Sequence, residues 1–76
     1  SLKNGHLYKS YKFPSFRDSV NFVNKVADLA EEEDHHPDIY IHYKKVEFEI
    51  WTHAINGLSK NDFILAAKIE KLYKKE

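Results

Sequence analysis

The chain opens, after a few polar residues, on an alternating run. In "HLYKSYKF", residues 6–13, Leu7, Lys9, Tyr11 and Phe13 alternate with His6, Tyr8, Ser10 and Lys12. Period-two alternation predicts a strand, here with a mixed polar face. Pro14 ends it, because proline offers no N–H to a ladder. The next stretch, "PSFRDSVNFVNKVADLAEEE", predicts a helix starting from an N-cap at Ser15, with Asp18 three residues on. Phe16, Val20, Val23, Ala27 and Ala30 form one apolar stripe at helical spacing. Phe22, Val26 and Leu29 form a second. The first stripe is enough to pack on a sheet. The second is expected to meet another surface, a second subunit, unless both belong to one wide core face.

Two further alternating runs follow, 39–43 ("IYIHY") and 46–53 ("VEFEIWTH"). Lys44–Lys45 between them is short enough for an antiparallel hairpin, though it lacks Asn-Gly chemistry. Val46, Phe48, Ile50 and Thr52 point one way; Glu47, Glu49, Trp51 and His53 point the other. An aromatic among glutamates covers a site or an interface, or packs on a cross-strand neighbour. The last helix starts near Ser59, with Asp62 at its third position and Leu58 and Phe63 placed for a hydrophobic staple. Its apolar face reads as Phe63, Ala66, Ile69 and Tyr73, with Leu65 and Leu72 beside it. The late lysines suit the helix dipole.

The predicted order is β-α-β-β-α. The economical arrangement is an antiparallel sheet with helices packed on one face, an α+β fold. With 76 residues the chain makes one domain, 1–76. A core this small is marginal alone, and without cysteine no disulfide supports it. Absence of cysteine fits a reducing compartment. Twelve basic and twelve acidic residues cancel, and no basic stripe of a nucleic-acid binder is present. No apolar run approaches the ~18 residues of a membrane span.

The chemistry concentrates in "EEEDHHPD", residues 31–38. Glu31 and His35 stand four apart and share a face if the helix extends that far. His36 precedes Pro37, which turns the chain out of helix. His53 ends the strand whose hairpin begins just after this turn, so three imidazoles and a carboxylate can gather at one sheet edge. Three readings are open. Two imidazoles can exchange protons near neutral pH. Histidines with a carboxylate can hold a metal, although adjacent histidines lack the spacing of a zinc helix. Or the histidines are surface residues beside acids.

A longer pattern narrows these readings. Glu31, His35-His36-Pro37, Tyr43, His53 and Asp62, with "THAINGLSKND" and "YKFPSF", resemble the signature of the pterin-4a-carbinolamine dehydratases over residues 7–73. The resemblance implies a four-stranded antiparallel sheet with helices on one face, dimers through sheet edges and tetramers through a helix bundle. Family members usually carry a helix and a strand before the position of Gly5, with a tryptophan there. The sequence has neither, so it reads as a truncated or minimal form with three strands. The implied reaction dehydrates 4a-hydroxytetrahydrobiopterin to quinonoid dihydropterin in tetrahydrobiopterin recycling. The resemblance makes His35 and His53 the acid–base groups, with His36 as a third candidate that holds the pterin. Glu31, Pro37 and Asp62 are the implied substrate-binding positions, although Asp62 also suits a helix cap. No cofactor or metal is implied; the pterin is the substrate. Implied partners are copies of the chain, as homodimer or homotetramer, with no direct nucleic acid and no membrane. A role as a non-catalytic coactivator that stabilises a partner's dimer is the alternative. The expected compartment is the cytoplasm, with the nucleus as a second candidate.

Overall fold

A computed structural model describes residues 2, 3 and 5–75, with the backbone alone for Lys3 and His53. The element order is β1 (Leu2–Lys3), β2 (His6–Lys12), α1 (Phe16–Glu33), β3 (Asp38–His42), β4 (Lys45–Ile50), a 3-10 turn (His53–Ile55) and α2 (Lys60–Lys74). One antiparallel sheet in the order β1-β2-β4-β3 carries both helices on one face. This is the expected α+β architecture with one strand more than the pattern predicted. The extra strand is two residues long, too short for alternation to register. It pairs Leu2 with Leu7 and Lys3 with His6. Gly5 has φ of 76°, the left-handed backbone that a tight hairpin requires.

The sheet sorts its faces by alternation. Val46, Phe48 and Ile50 of β4 are fully buried beneath the helices, with Tyr11 of β2 beside them. Lys9 shares that inward register and reaches Glu70 of α2 at 3.1 Å. Tyr11 donates to the same Glu70 carboxylate at 2.7 Å. These contacts reconcile polar residues with an inward-facing strand.

Helix α1 is rotated from the expected setting. Ser19, Phe22, Val26 and Ala30 are its buried residues, and Leu29 and Val23 pack beside them. The stripe assigned to a second subunit, Phe22–Val26–Leu29, therefore faces the core, joined by Val23 and Ala30 of the other stripe, in part the wide core face given as the alternative. Phe16, on the stripe assigned to the core, is 52% exposed. The two stripes lie about 100° apart on one helix and are nearly equal in apolar content, so periodicity defines the helix without its rotation. Phe22 settles the rotation by fitting among Tyr11, Phe13, Phe48 and Tyr73. In α2 the buried set is Asp62, Leu65, Ala66 and Ile69, and Phe63 faces outward at 53% exposure.

Strand ends also shift. β4 stops at Ile50 rather than continuing to His53; Thr52 keeps only an isolated bridge to Gly57. The hairpin turn is Tyr43–Lys44 rather than Lys44–Lys45, since His42 pairs with Lys45. Tyr43 takes φ of 49°, a left-handed conformation that a bulky residue adopts only under strain.

Candidate functional site

The site begins where α1 ends. Asp34 adopts the left-handed region, with φ of 51° and ψ of 42°. Aspartate tolerates this better than most residues because its short side chain bonds locally. The reversal lets Asp34 N–H donate to Glu31 O and His35 N–H donate to Ala30 O, satisfying the last carbonyls. Pro37 then keeps the chain extended into β3. His35 and His36 sit at this corner with their side chains diverging.

His35 turns inward to α2. Its Nε2–H donates to Asp62 Oδ1 at 2.5 Å, and its side chain is 17% exposed. Asp62 is fully buried and held from every side. Its Oδ2 accepts from Ser59 N–H at 2.7 Å and from Thr52 Oγ1 at 2.8 Å. Thr52 Oγ1 accepts in turn from Ser59 Oγ at 2.7 Å. Burial alone would raise the Asp62 carboxyl. The hydrogen bonds from His35, Ser59 and Thr52 outweigh it and hold the carboxyl below its ordinary value. Asp62 is therefore an anion that fixes the His35 ring with hydrogen on Nε2. Nδ1 is left as the ring's remaining position for proton exchange.

His36 turns outward. Its Nε2–H donates to Glu31 Oε2 at 2.6 Å, both side chains largely exposed. The expected Glu31–His35 pairing is thus replaced by Glu31–His36 and His35–Asp62, because the left-handed step at Asp34 takes His35 off the helix face. Asp62 serves both as helix cap and as a partner to the histidine.

A cleft of about 190 Å³ opens between Asp34, His35, His36, Trp51 and Thr52. Glu31 and Pro37 are not among the residues that line it. His53 directly follows Thr52, whose hydroxyl donates to Asp62; the His53 side chain lies outside the described residues. Trp51 lines this cleft, although the motif left it unassigned. Its signal was a large aromatic in the glutamate register of β4. A wider hollow of about 580 Å³ runs along β2 and α2 past Tyr8, Lys9, Tyr11, Glu47 and Glu70, with no imidazole in it. The smaller cleft is lined by two imidazoles, His35 and His36, so it is the candidate site.

The opposite face of the sheet carries the remaining histidines. His6 Nδ1–H donates to Glu49 Oε2 at 2.5 Å, and Tyr40 Oη donates to Glu49 Oε1 at 2.9 Å. The hydrogen bond from His6 leads those that hold the Glu49 carboxyl below its ordinary value. His42 lies 2.7 Å from Glu47. Each histidine with a described side chain meets a carboxylate, yet among the described residues no three ligand-type side chains gather as a metal requires. No described helix is long and apolar enough to cross a membrane.

A protein of Rickettsia canadensis, provisionally named pterin-4-alpha-carbinolamine dehydratase, is 61% identical over 66 residues, which span 87% of this chain and 61% of that protein. Pterin-4-alpha-carbinolamine dehydratase 2, mitochondrial, of Arabidopsis thaliana is 52% identical over 67 residues, 87% of this chain and 36% of its own length. The crystal structure of a transcriptional coactivator/pterin dehydratase from Brucella melitensis superposes with a TM-score of 0.87 at 29% identity, covering 96% of this chain and 78% of that one. The chain therefore spans less than two thirds of the curated relatives named here. The family model for pterin 4 alpha carbinolamine dehydratase matches residues 1–72, nearly the whole sequence. With the motif, the fold and this match in agreement, the chain belongs to the pterin-4-alpha-carbinolamine dehydratase family.

Proposed function

We propose that the chain dehydrates 4a-hydroxytetrahydrobiopterin, the pterin-4a-carbinolamine, to quinonoid dihydropterin, and so serves tetrahydrobiopterin recycling. The observation that carries this reading is the buried Asp62 anion bonded to His35 at 2.5 Å beside an open cleft. The reaction removes a proton from ring N5, breaks the C4a–O bond and releases the hydroxyl as water. Hydroxide leaves poorly, so the hydroxyl must gain a proton as the bond breaks. With Nε2 tied to Asp62, His35 works through Nδ1. A protonated Nδ1 gives its proton to the leaving hydroxyl; a neutral one accepts the proton from N5. Asp62 stabilises the imidazolium in either role.

His53 is the second acid–base group of the proposal, since one centre donates while another accepts. His36, oriented by Glu31, holds and aligns the pterin at the open end of the cleft. Pro37 fixes the backbone that presents His36. The route runs on side chains alone, with the pterin as substrate and no metal or organic cofactor.

The test is direct. The carbinolamine is generated with an aromatic amino acid hydroxylase and its loss is followed by absorbance, with and without the chain. The expected outcome is acceleration by the wild type, lowered about 100-fold by His35→Ala and by His53→Ala. No acceleration by a folded wild-type chain overturns the reading.

A second reading rests on a different observation. Phe16, Phe63 and Ile64 expose apolar surface on the two helices, at 52%, 53% and 37%. Such surface suits a homodimer or homotetramer, or the exchange of a copy for a partner protein's helix, the coactivator role. That role needs no turnover, so a chain that oligomerises without accelerating dehydration favours it.

A further inference from the structure

Trp51 is the only tryptophan of the chain. It follows β4 directly, in the outward register of Glu47 and Glu49, while Phe48 and Ile50 fill the core. An aromatic on a polar face contributes little to the core. This one is nevertheless held on two sides. Its indole stacks on the His6 ring with centroids 4.2 Å apart and planes 13° from parallel. Its Nε1–H donates to Asp38 Oδ2 at 3.3 Å. His6 is itself anchored through Glu49, which Tyr40 also binds. The fixed indole then borders the cleft of His35 and His36.

Merely shielding the His6–Glu49 pair would not require that the indole also reach the cleft. A flat heterocycle entering there meets imidazoles on one side and needs an apolar surface on the other. Aromatic surface supplies dispersion and quadrupole attraction to a planar ring. A rigid wall also fixes the angle at which the ring meets a proton-exchanging group, and small errors in that angle slow the reaction.

We propose that Trp51 is a substrate-binding wall of the cleft: its indole packs against the flat bicyclic ring of the pterin, while His6 and Asp38 act as positioning residues that hold the indole. The inference rests on the dehydratase reading and names the residue that reads the ring in that site.

The experiment uses 7,8-dihydrobiopterin, which has the ring but no 4a-hydroxyl to lose. Because Trp51 is the sole tryptophan, its emission reports on the site directly. After correction for absorption by the probe, wild-type emission falls along a saturable curve. Trp51→Leu raises the calorimetric Kd for dihydrobiopterin about tenfold with an unchanged circular dichroism spectrum. Trp51→Phe keeps an aromatic face and recovers most of that loss. In turnover, Trp51→Leu raises KM more than it lowers kcat. His6→Ala gives a smaller rise in Kd, because the indole remains but loses its backing. The wall is overturned, with the dehydratase reading intact, if the wild type turns over carbinolamine while saturating dihydrobiopterin leaves the emission unchanged. It is overturned equally if folded Trp51→Leu binds as tightly as wild type. Should Trp51→Leu fail to fold, the wild-type emission and Trp51→Phe decide. A wild type that neither turns over carbinolamine nor binds dihydrobiopterin removes both the reading and the wall.

Discussion

Asp62 joins two jobs in one carboxylate. It closes the first turn of α2 through Ser59 N–H, and it orients His35. Both oxygens are engaged and the group has no solvent exposure, so a change here is felt in stability and in chemistry together. Asp62→Ala strands three donors and is expected to cost about 3 kcal/mol in urea unfolding. Asp62→Asn keeps the volume but removes the charge. It should lower kcat about 10- to 100-fold, the usual effect of losing a group that orients a working side chain. The pH dependence has a definite sign. The folded carboxyl titrates below its unfolded value near 3.8, so its contribution is complete above that value and lost as pH falls through the folded one. The stability gap between wild type and Asp62→Asn is therefore widest near neutrality and narrows below about pH 4. A gap of constant size down to acid pH would mean that the charge is irrelevant. Tyr43 offers the opposite case, a residue whose change should help. At φ of 49° it bears left-handed strain in an exposed turn. Tyr43→Asn should stabilise the fold by about 1 kcal/mol, read as a raised Tm.

Among the elements, α1 shows how far a pattern reaches. Apolar spacing identified the helix, and Ser15 capped it as expected, accepting from Asp18 N–H at 3.1 Å. Which stripe faces the sheet was not in the pattern, because both stripes suit a core. The contrast gives a paired prediction. Val26→Lys places an unpaired charge in the core and should unfold the chain, at a cost of about 3 kcal/mol or more. Ala27→Lys, one residue on and exposed, should leave the far-ultraviolet spectrum and Tm nearly unchanged. Equal sensitivity at the two positions would contradict the observed rotation. The same limit explains the exchanged partners at the C-terminus of α1. Four-residue spacing paired Glu31 with His35, but spacing holds only while the helix continues, and Asp34 ends it. The short β1 carried a legible sign, Asn-Gly before an alternating run, yet two residues give alternation nothing to repeat.

The whole molecule is a two-sided layer. One sheet face is sealed by the helices; the other is open and carries polar and aromatic residues. The helices in turn expose Phe16 and Phe63. If copies associate through the helix layer, Phe16→Glu with Phe63→Glu should lower the mass seen by sedimentation without lowering Tm by more than a few degrees. An unchanged mass would assign association to the sheet edge instead. Much of this architecture was present in the sequence. Alternation, helical spacing, caps and prolines act over a few neighbours, so a linear string displays them: α+β class, the longer elements, and the motif that ties residues 31–62 to a family. Tertiary structure alone decided the rotation of α1, the His35–Asp62 and His36–Glu31 pairs, and the place of Trp51 at the cleft. Those outcomes depend on contacts between residues far apart in the chain, as between His6 and Trp51 or Phe22 and Tyr73. Such contacts are chosen by the packing of whole elements, and no local rule encodes them.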